Sequence, residues 1–189
     1  MRDIPVVGVL LAAGSATRFG TDKLLAALPD GPSVGTAALK SLAAAVDHVV
    51  AVLRPGDAVL ADLLRAQGAR ITVCPNAAEG MGASFAWGVR AAPAAAAWVI
   101  ALADMPWVRS ETIAAVVAAL RSGAPLVAPA HGGNRGHPVG FGAVFYAELA
   151  DLRGDQGAKS LLVAHPVELI DTDDAGVLRD VDTPTDLAR

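Results

Sequence analysis

A mostly parallel β-sheet covered by helices on both faces is the fold class this sequence predicts. Apolar β-type runs alternate with alanine-rich helical stretches along the chain, the pattern of an α/β protein. The runs are continuously apolar rather than alternating, which suits strands buried on both faces. Polar and glycine-bearing motifs follow directly after the runs, and in such sheets ligands bind beyond the carboxyl ends of the strands.

The first strand is predicted over Ile4–Leu11, rich in valine and leucine. It breaks at Gly14-Ser15 into a small-residue loop holding Arg18, Gly20, Asp22 and Lys23. Further strands are expected at His48–Leu53, Arg70–Cys74, Trp98–Ala103, Leu126–Ala130, Val167–Asp171 and Val177–Val181. Helices are expected near Val34–Val46, Asp57–Gln67, Ala83–Ala92, Glu111–Arg121, Ala143–Asp151 and Ala158–Ala164. Ser110 is the expected cap of the fourth helix. The rhythm fails between Pro129 and Phe141, where His131-Gly-Gly-Asn-Arg-Gly-His-Pro-Val139 is a tight hairpin or a site wall. A hairpin there would let the next segment run antiparallel within the sheet.

With 189 residues, a single domain over 1–189 is expected, large enough for a sizeable core. No apolar run reaches the ~18 residues of a membrane helix; the longest, Ala91–Ala103, contains Pro93 and ends at Asp104. Arg2 and the apolar run after it imitate a secretory signal, but Asp3, Pro5 and Gly8 interrupt the pattern. Cleavage there would also discard the strand feeding the cation loop. The net charge of −4 leaves no footprint for polymeric nucleic acid. Cys74 is the only cysteine, so no internal disulfide and no C-x-x-C metal site can form. A cytoplasmic protein is expected, without nucleic-acid or membrane partners, as a monomer or weak oligomer.

A strand delivering free backbone N–H groups and two cations is a polyanion cradle. Its spacing is neither a Walker A loop nor G-x-G-x-x-G. Arg18 and Lys23, set in that loop, would contact phosphate; the alternative is two solvated surface cations. Asp104, in Leu102-Ala-Asp-Met-Pro106, closes a buried strand and is placed to hold Mg²⁺. Mg²⁺ takes one or two carboxylates plus substrate phosphates, and Asp182, in Asp180-Val-Asp-Thr-Pro184, is the second acid. Asp182 or Thr183 reads equally as a helix cap with Pro184 at the first helical position. Asp180 is expected on the opposite side of its strand, because side chains alternate. Gly80, Gly82 and Ser84 would let backbone approach a ligand and open a helix. Arg135 and His137 would touch an anion or substrate, whereas His48 and His165 read as structural. Neither a G-x-S-x-G elbow nor a Ser/His/Asp arrangement is present.

Together these residues resemble the small nucleotidyltransferases of molybdenum cofactor biosynthesis, the cytidylyltransferase (MocA-like) branch more than the guanylyltransferase (MobA-like) one. The match runs collinearly through Leu11-Ala-Ala-Gly-Ser-Ala-Thr-Arg-Phe-Gly20 with Asp22-Lys-Leu-Leu25, Gly80-Met-Gly-Ala-Ser-Phe85 and Leu102-Ala-Asp-Met-Pro106. It continues through Arg135-Gly-His-Pro-Val139, Gly154-Asp-Gln-Gly-Ala-Lys159 and Asp180-Val-Asp-Thr-Pro184. The resemblance implies a three-layer α/β/α, Rossmann-like GT-A-type domain with one strand antiparallel. It implies Mg²⁺-dependent transfer of CMP from CTP to the terminal phosphate of molybdopterin, releasing pyrophosphate. By motif position, the backbone of Leu11, Ala12, Ala13 and Gly14 would meet the base, and Gly82 with Ser84 the base or ribose. Arg18 and Lys23 would hold the triphosphate, Asp104 and Asp182 the Mg²⁺, and Arg135 with His137 would face the phosphorylated pterin acceptor. Ala13 matches the cytidylyl pattern, where glycine stands in the guanylyl one; one added methyl would exclude a purine by clash.

Phe19 and Phe85 replace the usual Met and Leu, and Pro29-Asp-Gly-Pro-Ser33 departs from the usual turn. These departures leave other readings open. One keeps the chemistry with GTP, another NTP or another phosphorylated acceptor. Another is an NAD(P)H-dependent reductase, since some proteins resembling this family are described as reductases of small catabolic pigments. A third is a module delivering finished cofactor to a molybdoenzyme partner.

Overall fold

The computed structural model describes residues 5–14, 22–29, 31–155 and 157–188, the last by its backbone. Among these, eight strands form one sheet. They are β1 (Val6–Leu11), β2 (His48–Leu53), β3 (Arg70–Val73), β4 (Ala97–Leu102), β5 (Leu126–His131), β6 (Asn134–Arg135), β7 (Val139–Gly142) and β8 (Glu168–Asp171). The order is β3-β2-β1-β4-β7-β5-β6, with β8 paired to β5. β1 pairs in parallel with both β2 and β4, and β8 in parallel with β5. β7 runs antiparallel between β4 and β5.

That antiparallel insertion follows from the glycine-rich stretch after Ala130. The chain turns at Gly132-Gly133, both at positive φ, and returns through the two-residue strand β6. A hairpin is therefore realised within 131–139. β6 and β7 lie outside the predicted strands because Gly140 and Gly142 dilute an already short apolar signal.

Side-chain alternation along each strand feeds two separate cores. Leu10, Ala51, Val99 and Val127 point to one face, packed against α1 (Val34–Ala43), α2 (Ala58–Ala66) and α4 (Ser110–Arg121). Val9, Val52, Ile100 and Ala128 point to the other, under α3 (Met81–Arg90), α5 (Tyr146–Ala150) and α6 (Lys159–Ala164). This is the three-layer α/β/α arrangement, with the sheet between two helical layers. Full burial of each large apolar side chain contributes roughly 1.5–3 kcal/mol. In the second core Trp98 is 0% exposed, and its indole N–H donates to the Ala92 carbonyl at 3.1 Å. No helix among the described residues is long and apolar enough to cross a membrane.

Two local expectations are corrected. The segment predicted as a strand over Val177–Val181 instead opens with a 3-10 turn, Ala175–Leu178. Asp174 causes this: its carboxylate accepts from the Gly176 amide at 3.0 Å and folds the backbone into a turn. Ser110 is not the cap of α4 but its first residue; the capping position is Arg109. Asp174 also accepts there, from the Arg109 amide and the Thr112 hydroxyl, both at 2.8 Å. A carboxylate from a distant segment thus occupies the helix start that the sequence assigns to a local serine.

Candidate active site

The loop leaving β1 stays tied to the sheet for two residues. Ala12 N–H donates to the Val52 carbonyl at 2.9 Å, and the Leu11 carbonyl accepts from Ala103 N–H at 3.1 Å. Ala13 is 8% exposed, its methyl largely covered, while Gly14 opens to solvent. Arg18 lies outside the described residues, as does the rest of the loop from 15 to 21. The chain resumes at Asp22, whose carboxylate accepts from the Leu24 amide at 3.1 Å and starts the 3-10 turn Lys23–Leu25. Leu24, 5% exposed, pins that turn in the first core. Lys23 is thereby aimed back across the carboxyl end of β4.

There Lys23 Nζ donates to Asp104 Oδ2 at 2.7 Å and to the Val181 carbonyl at 2.9 Å. Asp182 Oδ1 lies 3.5 Å away. The side chains of Lys23 and Asp104 are only 14% and 24% exposed, so this short charge-assisted bond is worth more than a surface ion pair. Asp104 and Asp182 therefore share one cation, as their expected pairing at a common site requires. Asp180 lies near enough for the charges of Asp182 and Asp104 to act on it. Residues two apart face the same side of an extended segment, so alternation itself sets Asp180 with Asp182 and not opposite it; both are exposed, with Val181 buried between them. The Asp180 carboxyl is pushed above the ordinary 3.8, first by desolvation, then by the Asp182 charge, with Asp104 adding to it. Among the described residues no group of three or more His, Cys, Asp or Glu side chains is arranged to hold a metal. A divalent cation would thus rest on Asp104 and Asp182, with further oxygens from a phosphate or water.

The segment carrying Asp180 and Asp182 is strapped over the sheet edge at several points. Val181 N–H donates to the Asp104 carbonyl at 2.8 Å, and the Val177 carbonyl accepts from His137 N–H at 2.9 Å. Gly136 is needed at that crossing, since a Cβ there would run into the Val177 carbonyl and side chain. The Arg179 guanidinium stacks over Trp107, 3.7 Å from its ring centre. Behind all this sits Asp174, 2% exposed, on the amides and hydroxyl described above. Asp174 was not among the expected site residues. Apart from Gly176, its donors lie 62 and 65 residues away in sequence, so no local signal marks its part in holding α4.

Beside the cation site lies a cavity of about 250 Å³, walled by Phe85, Leu102 and Phe141, with Arg135, His137 and Lys159 as its polar members. Leu11 and Met81 also line it. Arg135 and His137 are thus brought together as expected. Lys159 is an addition, marked in the sequence only by the motif ending Gln-Gly-Ala-Lys159. His137 Nδ1 is buried without a hydrogen-bond partner among the described residues. Burial holds the imidazole below its ordinary 6.5; the Asp104 charge opposes this and Arg135 reinforces it. His137 is therefore neutral at pH 7, and its environment senses Asp104 electrostatically.

Gly82 and Ser84 occupy the first turns of α3, and Ser84 is buried. The glycine at 82 answers to a protein contact. Its N–H donates to the Gly154 carbonyl at 2.7 Å, and a Cβ would lie 2.6 Å from the Arg153 carbonyl. The residues of α3 that reach the cavity are Met81 and Phe85.

Residues 8–169 match the MobA-like NTP transferase domain. The chain is 33% identical to the purine catabolism protein PucB of Bacillus subtilis over 198 residues, covering 97% of this chain and 95% of PucB. It is 31% identical to nicotine blue oxidoreductase of Paenarthrobacter nicotinovorans over 199 residues, covering 99% and 97%. The crystal structure of Rv0371c from Mycobacterium tuberculosis superposes with a TM-score of 0.85 at 29% identity, covering 100% of this chain and 98% of that one. A manganese complex of Rv0371c superposes at 0.80 and 28% identity, covering 98% and 97%.

Proposed function

This chain belongs to the MobA-like NTP transferase family and is a nucleotidyltransferase, and we propose that it moves CMP from CTP to the terminal phosphate of molybdopterin, releasing pyrophosphate. The observation that carries this reading is the shared cation position, where Lys23, Asp104 and Asp182 meet at the carboxyl ends of β1 and β4 beside a mainly apolar cavity.

The chain's own residues would do the following. Lys23, with Arg18, would hold the triphosphate and offset the charge that builds on the departing pyrophosphate. Mg²⁺ held by Asp104 and Asp182 would supply further charge neutralisation at the phosphates; the manganese complex of Rv0371c supports a divalent cation in this family. In-line attack by an acceptor phosphate needs positioning but no protein nucleophile. The cavity supports a ring-bearing acceptor. Pockets that hold whole drug-sized ligands run to roughly 300–1,000 Å³, so about 250 Å³ suits one ring system. Arg135 and Lys159 would meet its anionic groups, and neutral His137 would offer a hydrogen bond without adding charge. The Leu11–Gly14 backbone would border the base, with Gly82 and Ser84 behind it. Ala13 is 8% exposed, so its methyl is not presented for the expected clash with a purine; it would instead choose CTP over GTP through the path of that loop.

The test is a thermal-shift panel of CTP, GTP, ATP, UTP and NADPH, each with and without Mg²⁺. Ligand at 100 times its dissociation constant adds ~2.7 kcal/mol, and each kcal/mol moves the midpoint ~2–4 °C at this size. CTP with Mg²⁺ is expected to raise the midpoint several degrees above the other nucleotides. A second reading, reduction with a pyridine nucleotide, is favoured by the name of the P. nicotinovorans relative. Stabilisation by NADPH alone would favour it and overturn the CTP reading.

A further inference from the structure

The ammonium of Lys23 is surrounded by oxygens: Asp104 Oδ2 at 2.7 Å, the Val181 carbonyl at 2.9 Å and Asp182 Oδ1 at 3.5 Å. An ammonium is a compact point charge with three donors, and here it neutralises two carboxylates that would otherwise face each other. Carboxylate and carbonyl oxygens are also the hard donors a small divalent cation prefers. The same oxygens cannot serve both cations at once, because an ammonium close to a divalent ion repels it. Yet Lys23 has somewhere else to go. It stands on a turn anchored by buried Leu24, and its flexible four-carbon stem lets the head move while the turn stays in place.

We propose that Lys23 is a placeholder cation: it occupies the metal position of the free protein and is drawn off by the triphosphate, so that metal and nucleotide bind with positive coupling. The inference rests on the reading of the chain as a metal-dependent nucleotidyltransferase. In the free protein the ammonium balances the two carboxylates and keeps them in place. When phosphates arrive, they offer Lys23 a denser set of anionic oxygens, and its departure exposes Asp104 and Asp182 to a metal. Neither step is favourable alone, since a lysine that leaves without a metal arriving strands two like charges. By linkage, whatever factor the nucleotide adds to metal affinity the metal adds to nucleotide affinity.

The test uses Mn²⁺ as a paramagnetic probe, its binding followed by electron spin resonance and calorimetry without nucleotide and then with a non-hydrolysable α,β-methylene CTP analogue. Lys23→Gln removes the charge, and Lys23→Arg keeps it. Without nucleotide, Lys23→Gln is expected to bind Mn²⁺ roughly tenfold or more tightly than the wild type, the size of one charge-assisted hydrogen bond lost by the competitor. Lys23→Arg is expected to exclude Mn²⁺ as the wild type does. Equal Mn²⁺ affinity in the wild type and Lys23→Gln overturns the placeholder role, while the transferase reading stands if Mn²⁺ still binds with the nucleotide. Absence of Mn²⁺ binding under every condition overturns both. Amine labelling of the wild type, read by mass spectrometry, needs no folded variant. Saturating Mn²⁺ is expected to accelerate modification of Lys23, and an unchanged rate with Mn²⁺ bound overturns the competition.

Discussion

Replacing Asp174 with alanine isolates the support beneath the site from the site itself. The carboxylate is 2% exposed and accepts from Arg109 N–H, Thr112 Oγ1 and Gly176 N–H at 2.8, 2.8 and 3.0 Å. Alanine leaves these donors without their acceptor and a carboxyl-sized void among them. A buried donor stranded in this way costs about 1–3 kcal/mol. Water entering the void would recover part of that, so a loss of about 3–5 kcal/mol is expected, the range seen when one member of a buried charged pair is removed. At this chain length, ~2–4 °C per kcal/mol turns that loss into a fall of roughly 6–20 °C in the unfolding midpoint. Differential scanning calorimetry and urea unfolding, run together, measure it. Asp174→Asn keeps one acceptor oxygen but turns an NH₂ group toward a donor, so it should lose less than alanine without being neutral. The effect should also reach the active site, because the same strap carries the Val177 and Val181 contacts and Asp182. A midpoint within about 2 °C of wild type for the alanine variant would refute the claim that this carboxylate fixes the strap.

Four further outcomes follow from the same contacts. Asp104→Ala should lower metal-dependent pyrophosphate release by about 10² or more, the cost of removing one main source of electrostatic stabilisation; near-normal release would remove Asp104 from the chemistry. Gly136→Ala should destabilise by about 1–3 kcal/mol, because the new methyl meets the Val177 carbonyl as well as its buried side chain; chemical denaturation checks it. Asp180→Asn should raise the midpoint of the ligand-free protein at pH 7. Its folded carboxyl sits above the ordinary 3.8, so ionising it opposes folding, and the gain should shrink as pH falls toward that value. His137 has the opposite pH signature. Its folded value lies below 6.5, so below that pH the unfolded chain binds the proton that the folded chain refuses, and stability falls. Urea unfolding from pH 7.5 to 5 should show a shallower fall in His137→Gln than in wild type.

The fold was legible wherever neighbours in sequence decide it. Val6–Leu11, residues 49–53 and Ala97–Leu102 carry no polar side chain until their ends because they lie between two helical layers, and that is a local signal. So is the position of Asp104, the first acid after such a run. What could not be read was structure imposed across the chain. Val177 and Val181 look like strand residues, and both are fully buried. The backbone between them nevertheless turns, because Asp174 reaches donors on α4 that periodicity along the segment cannot reveal. The expectation for Asp180 fails for a simpler reason: it stands two residues from Asp182, and in an extended segment that spacing sets both side chains on one side, here both exposed with Val181 buried between them. β7 escaped for the converse reason: it is held by partners on both sides, so Val139–Gly142 needs little β-propensity of its own.

Lys23 shows the limit at a single residue. A lysine in a small-residue loop after a buried strand reads, from sequence alone, as facing outward to a phosphate ligand or to solvent. In the folded chain the oxygens around it are the protein's own, the carboxylates of Asp104 and Asp182 and the neutral Val181 carbonyl, the last two on a segment nearly 160 residues further on, with the bond to Val181 spanning 158 positions. A site built to bind a highly charged substrate must be stable before the substrate comes. Two carboxylates gathered for a metal would repel each other at the edge of the sheet unless something of opposite sign stood between them. If Lys23 serves the substrate as proposed, it is the cation best placed to do this, since it would be released when the substrate competes for it. The apparent conflict between a lysine for phosphate and a lysine for aspartate is then resolved as two states of one residue. The energy difference between those states sets how strongly the nucleotide and the metal depend on each other.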